Sequence, residues 1–221
     1  HHKSAIPLEK LGLNNLQIDT ENTKCGCKML YDYLLNDVNA DKIKPYKDLV
    51  NFIDDHDRWV KNIPEAEDLA MFYMTVGQKM FIERFTRNPS IEFNNQEKYV
   101  IEIEKYKMQE EIKEKKRHVQ SATHSKKING KHYRIGFVTG VRYVSSTGNA
   151  LYSDPTLNLD AVFLIGNETI SMRCGKDSEI DLAEISKKFG GGGHKAAAGF
   201  QIKGLLGKAV IDMIIEKFPG E

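Results

Sequence analysis

The chain has 221 residues, 40% of them hydrophobic and 29% charged, enough for one large domain or two small ones, each with its own core. Against 32 Lys and Arg stand 31 Asp and Glu, so net charge is silent about a nucleic-acid or membrane partner, and such a partner must be met by a local patch. No apolar run approaches the roughly 18–20 residues of a membrane span, and Cys25, Cys27 and Cys174, without CxxC spacing, exclude a disulfide framework or a zinc knuckle. The expectation is a reduced, cytoplasmic protein with no membrane partner.

The chain opens on His1-His2-Lys3-Ser4-Ala5 without a Met, as a tag scar or a piece of a longer protein would. Leu16 and Ile18 alternate with polar neighbours, which predicts a short strand. Thr23 is a fair N-cap for a helix carrying Met29, Leu30, Tyr33 and Leu34 on one stripe. After Lys44-Pro45 a second helix carries Leu49, Val50, Phe52 and Ile53, runs into Asp54-Asp55-His56-Asp57 and ends near Trp59. A third is predicted over 65–87, with Leu69, Phe72, Tyr73, Val76, Met80, Phe81 and Phe85 at helical spacing.

From about 94 to 119 charge density rises around Tyr99, Val100, Ile103 and Tyr106, the pattern of one long connector helix between two domains. Residues 113–134 hold eight Lys or Arg against one acid, Glu114. That run is either a solvated helix end or an electrostatic flank for a polyanion.

After Asn129-Gly130 the period changes to two, with Tyr133, Ile135 and Phe137 alternating against polar or small neighbours. A helix is predicted from about Ser145, and Ala161-Val162-Phe163-Leu164-Ile165 reads as a strand buried on both faces. In the next strand Ile170, Met172 and Cys174 take one face, Ser171 and Arg173 the other. Ser178 with Asp181 predicts a capped helix ending at Phe189, followed by a last strand over 200–202 and a terminal helix through Met213 and Ile215. The fold class is therefore α/β: a mostly helical first part, a long connector helix, then an α/β domain with a mixed sheet.

The segment Gly190-Gly191-Gly192-Gly193-His194-Lys195-Ala196-Ala197-Ala198-Gly199 is the strongest signal. Four glycines free the backbone for positive φ and close approach. His194 then begins a run of small residues, where a helix N-terminus could present N–H groups to an anion. A bare glycine run is a flexible connector; a run closed by His and Ala-Ala-Ala-Gly reads as a built site. Arg173 is either a half-exposed strand residue or a fork for phosphate. Asp54, Asp55 and Asp57 are either a solvated helix end or, since acids there oppose the helix dipole, a place for a cation.

Phe189 through Phe200 resembles the signature loop of the DHHA1 domain, in the version that follows a DHH catalytic domain in the DHH/DHHA1 phosphoesterases. Ser171-Met172-Arg173 before Asp181-Leu182-Ala183 is similar to that family's "S-x-R…D-L-A" lead-in, and Tyr143-Val144-Ser145 with Gly148-Asn149-Ala150-Leu151 to its strand-to-helix corner. His1-His2-Lys3-Ser4-Ala5 resembles the tail of an Asp-His-His motif whose Asp is just missing, and Phe52 to Trp59 the fourth motif of the nanoRNase-like (oligoribonuclease-like) branch, an aspartate before "x-W".

The resemblance implies the remainder of a DHH catalytic domain over 1–93, a connector over 94–125 and a DHHA1 substrate-binding domain over 126–221. It implies a phosphodiesterase that removes nucleotides 3′-to-5′ from short single-stranded RNA, or acts on related nucleotides such as 3′-phosphoadenosine 5′-phosphate. It implies two Mn2+ ions, with Mg2+ as the alternative, and allows a homodimer. On this reading His1 and Asp57, with Asp55 second, are metal ligands and His2 is a catalytic donor to the phosphate. Arg173, Gly191, Gly192, Gly193 and His194 bind substrate. Most of the family's metal-binding carboxylates belong upstream of His1, so the chain alone is expected to be inactive. Two alternatives stand beside this one: an RNA-binding module without hydrolysis, as in alanyl-tRNA synthetases, and a pyrophosphate or polyphosphate hydrolase.

Overall fold

The computed structural model describes residues 3–13, 16–19, 21, 23–36, 40–121, 124–128, 131–202 and 204. His1, His2, the Asn129-Gly130 turn and the helix expected through Met213 and Ile215 lie outside the described residues. Two compact units divide the chain, His1–Lys107 and Met108–Glu221. The expected class holds: helices first, then a mixed α/β unit.

In the first unit a 3₁₀ helix, Lys3–Leu11, precedes α1 (Gly26–Leu34), α2 (Ala40–Ile43), α3 (Lys47–Asp57) and α4 (Ala66–Arg87). Leu16 and Ile18 form no strand. The cap of α1 is Cys25, not Thr23: the Cys25 sulfur accepts from Lys28 N, while Thr23 donates its hydroxyl to Asp19. Leu49, Val50 and Phe52 of α3 are buried, and α3 packs against α1 and α4. The predicted third helix is broken at Gly77 (φ 74°, ψ 171°), a conformation that favours glycine. Phe72, Phe81, Phe85 and Phe93 cluster around the break, Phe81 and Phe85 with centroids 4.7 Å apart.

Helix α5 (Asn95–Ser121) starts from a reciprocal cap: Asn94 accepts from Glu97 N at 2.9 Å and Glu97 accepts from Asn94 N at 2.8 Å. The division between units falls inside α5.

The second unit is a six-stranded sheet in the order β1-β2-β3-β4-β6-β5, from β1 (His124–Ile128), β2 (Lys131–Thr139), β3 (Ala161–Ile165), β4 (Thr169–Cys174), β5 (Gly192–His194) and β6 (Ala197–Gln201). Only β2 and β3 are parallel, joined through α6 (Val144–Tyr152); the other pairs are antiparallel. The basic run after α5 is thus carried into a hairpin rather than a longer helix. Cross-strand partners share a face, so the register sorts the core into two. Val138, Val162 and Leu164 pack with Leu151, Leu157, Leu159 and Val119 on the α6 side. Met172, Cys174, Ala161 and Ala198 pack with Leu182 of α7 (Leu182–Lys187) on the other. The cap of α7 is Asp181, whose carboxylate accepts from Ala183 N and Glu184 N; Ser178 only braces Ile180 N. The glycine run leads into the β5–β6 hairpin, not a helix N-terminus, and the last strand is β6 at Ala197–Gln201, earlier than expected.

Candidate functional site

Two places carry the residues singled out by the sequence, one in each unit. The first is the end of α3. Trp59 N–H donates to His56 O at 3.0 Å and Val60 N–H to Asp55 O at 2.9 Å, the paired bonds that close a helix through a left-handed residue. That residue is normally glycine; here it is Trp59, at φ 55°, with Lys61 also left-handed at φ 61°. A bulky side chain there costs of order 1–2 kcal/mol. The His56 ring meets Trp59 edge-on at 5.6 Å, and Lys61 Nζ lies 3.9 Å from the Trp59 ring centre.

This turn sorts three adjacent acids into three environments. Asp54 accepts from Cys25 N at 2.6 Å and pairs with Arg58 at 3.0 Å, tying the start of α1 to the end of α3. Asp55 is 6% exposed, with Oδ1 accepting from Asn62 N at 2.9 Å. Asp57 is exposed. Among the described residues, Asp55 Oδ2 and His56 Nδ1 are the buried side-chain polar atoms without a hydrogen-bond partner. Burial, reinforced by Lys61, pushes the His56 imidazole below its ordinary pKa.

A carboxylate oxygen turned inward without a donor is the right chemistry for one ligand of a divalent cation. One ligand does not hold an ion. Among the described residues no group of three or more His, Cys, Asp or Glu side chains could do so, and they do not by themselves fit a two-metal centre.

The second place is a row across the sheet. Arg173 of β4 is opposite Ala197 of β6, and Ala197 is opposite His194 of β5. Arg173 and His194 therefore share one face, two strand spacings or about 10 Å apart, with an alanine between them. The adjacent row on that face is Ser171, Gly199 and Gly192, nearly bare of side chains. Arg173 is partly buried. Its Nη1 donates to Met172 O at 2.9 Å and its Nη2 to Ser145 Oγ at 3.1 Å. Both acceptors are neutral, and among the described residues no carboxylate pairs with it. Burial alone pushes its pKa below the ordinary value, though a guanidinium stays charged. Such a charge, short of a counter-ion, is a place an anion relieves.

The glycines do two jobs. A Cβ on Gly191 would stand 2.2 Å from Gly199 O and 2.4 Å from Ser186 Oγ, so the end of α7 closes on the hairpin only with no side chain there. Ser186, fully buried, donates to Gly199 O at 2.6 Å, and Gly190 and Gly191 N–H return to Lys187 O and Ser186 O. Gly192, Gly193 and His194 form β5, with Gly193 at φ 136°.

Sequence reasoning missed Ser145 as the partner of Arg173; the strand-to-helix corner at Tyr143-Val144-Ser145 was the available signal. Cys25, given no role, is a helix cap.

The sheet carries a Gly-Gly-Gly-Gly-His hairpin at its edge, with Arg173 and His194 in one row, and the DHHA1 domain family model matches residues 152–218. The chain carries this DHHA1 match over residues 152–218 and resembles the DHH/DHHA1 phosphoesterases. It is 26% identical over 214 residues to oligoribonuclease NrnB of Bacillus subtilis (strain 168), covering 91% of this chain and 51% of that protein. It is also 26% identical over 217 residues to uncharacterized protein R106 of Acanthamoeba polyphaga mimivirus, covering 94% and 48%. The chain thus spans about half the length of the curated relatives it matches. A solved structure of an uncharacterized protein from Helicobacter pylori G27 aligns over 98% of this chain and 72% of its own, with a TM-score of 0.37 and 14% identity. No helix among the described residues is long and apolar enough to cross a membrane.

Proposed function

We propose that this chain is the nucleotide-gripping portion of a phosphodiesterase acting on short single-stranded RNA from its 3′ end, or on related nucleotides such as 3′-phosphoadenosine 5′-phosphate. The observation that carries the reading is Arg173: a partly buried guanidinium bonded, among the described residues, to neutral oxygens, on one face with His194 across a floor of alanine and glycine. The name of the Bacillus relative, an oligoribonuclease, supports the substrate class. In this reading 126–221 binds substrate, 94–125 connects, and 1–93 is the remainder of the catalytic domain. Divalent ions, Mn2+ or Mg2+, would supply charge neutralisation for phosphoryl displacement if further ligands joined those of this chain. His1, His2 and one acid at the end of α3 serve that half. The unpartnered oxygen favours Asp55 over Asp57 as the ligand. Binding through phosphate with little reading of base edges suits RNA of any sequence.

Titration of a fluorescent pentaribonucleotide with chelator present tests the grip. Arg173→Ala or His194→Ala is expected to weaken binding about ten-fold or more, each removing a charge-assisted contact of roughly 1.5–3 kcal/mol. Neutralising Lys126 and Lys127 is expected to cost less and chiefly to flatten the salt dependence. Unchanged affinity in both single variants would make the hairpin a structural corner.

A further inference from the structure

We propose that Ser145 and Glu111 are positioning residues for Arg173, holding its guanidinium ready before any ligand arrives. The inference rests on the reading of Arg173 as a phosphate contact. Three observations join into one chain of contacts.

The first is at the start of α6. Tyr143 is its N-cap residue and makes no side-chain cap bond, which would leave the free N–H groups of the first turn to find partners elsewhere. Glu111, on α5, holds the entry to α6 from 32 residues away. Its Oε2 accepts from Arg142 N at 2.9 Å; its Oε1 accepts from Tyr143 N at 3.1 Å and from the Thr147 hydroxyl at 2.9 Å. A negative charge at a helix N-terminus is also favoured by the helix dipole. Tyr143 is 6% exposed and Thr147 fully buried, so this grip fixes the first turn of α6 in a tightly packed setting.

The second is the hand-over to Arg173. Ser145 lies in that first turn, and its Oγ is the acceptor for Arg173 Nη2 at 3.1 Å. The third is one turn further on. A Cβ on Gly148 would meet Arg173 Cγ at 2.7 Å and Leu164 Cδ1 at 3.1 Å. Helix α6 therefore confines the stem of Arg173 through Gly148 and its head through Ser145.

A long flexible side chain otherwise loses rotamer freedom when it binds, at about 0.5–1.5 kcal/mol per side chain. Ser145 and Gly148 bear that loss in the folded protein. Glu111 acts one step behind, since α6 can hold Arg173 only where α6 itself is held.

The test uses the full chain. Affinity for a fluorescent pentaribonucleotide is measured with chelator, together with the thermal midpoint of every variant. Ser145→Ala is expected to weaken binding about five-fold and Glu111→Gln about three-fold, within the cost of restoring one side chain's rotamer freedom, while Ser145→Thr, which keeps the hydroxyl, restores it. In an Arg173→Ala background both losses are expected to vanish, because the residue they serve is gone. If Ser145→Ala and Glu111→Gln weaken binding equally in that background, or leave wild-type affinity untouched, the positioning role is overturned. A purely structural role would lower thermal midpoints without this non-additivity. A second measurement needs no ligand: the Arg173 guanidinium signals in 15N-arginine spectra are expected to be resolved in the wild type and averaged in Ser145→Ala. If the wild-type chain binds no oligonucleotide, the functional reading above falls, and these spectra still decide the positioning of Arg173. Identical spectra in wild type and Ser145→Ala would overturn it.

Discussion

The end of α3 and the β4–β6–β5 row hold the candidate chemistry in opposite ways. At the end of α3, a strained turn carries acids crowded one after another, and one buried oxygen is left without a donor. In the row the backbone is locked by close approach, the side chains are nearly absent, and the charged group is steadied by neutral acceptors. The first arrangement stores a need for a cation, the second a need for an anion. One is made by burying a charge of one sign beside a helix end, the other by setting alanine and glycine between an arginine and a histidine on one sheet face.

The comparison can be broken at the hairpin first. Gly191→Ala is expected to destabilise the second unit by about 3 kcal/mol, the upper part of the range for overpacking, because the new methyl meets backbone as well as side chain. A urea titration that finds the variant within about 0.5 kcal/mol of wild type would show that the tight approach of α7 is not what sets the hairpin.

It sharpens at the acids. Asp54→Ala is expected to cost about 1.5–3 kcal/mol, since Asp54 carries the link to Cys25 N–H and the Arg58 pair. Asp55→Asn keeps an acceptor for Asn62 N–H and removes a buried charge with an unpartnered oxygen. It is expected to leave stability within about 1 kcal/mol or to raise it, the pattern of a residue kept for function. The reverse order in thermal midpoints would remove the argument for Asp55 as a ligand.

The smallest effect is a control outside both places. Lys116 lies 2.6 Å from Asp154, and the bond to Lys116 with those from Thr156 lowers the Asp154 pKa from 3.8 to about 2. A carboxyl whose pKa is lower in the folded chain contributes stability that is present above the unfolded value. That stability is lost as pH falls through about 2. Asp154→Asn is expected to flatten the acid limb of stability in that window, and less so in high salt. A wild-type limb in the variant would mean the pair is idle.

How much of this was legible depended on the periodicity. In β4, alternation placed Arg173 and Ser171 on one face and Ile170, Met172 and Cys174 on the other, and the register agrees. The α3 stripe of Leu49, Val50 and Phe52 was equally plain. The glycine run was visible as a built segment, but its form was not: small residues serve a helix start and a hairpin alike, and the hairpin is set by Ser186 and Gly199. The acids Asp54, Asp55 and Asp57 were indistinguishable as letters, because what separates them is a turn with Trp59 in a glycine's conformation. Glu111 was illegible for another reason. Its partners lie 31 to 36 residues on, and one carboxylate among many on α5 carries no mark of being a cap.

The turn at Trp59 has a practical side. Trp59 is the single tryptophan of the chain, and it stands in ring contact with His56, next to Asp55, with Lys61 above it. Light absorbed selectively by indole therefore reports on that turn and on no other part of the molecule. An ion drawn to Asp55 has to change the field around this ring, so its arrival is readable as a shift or quench of native emission without any label. The chain carries one such lamp, and it stands at the acids.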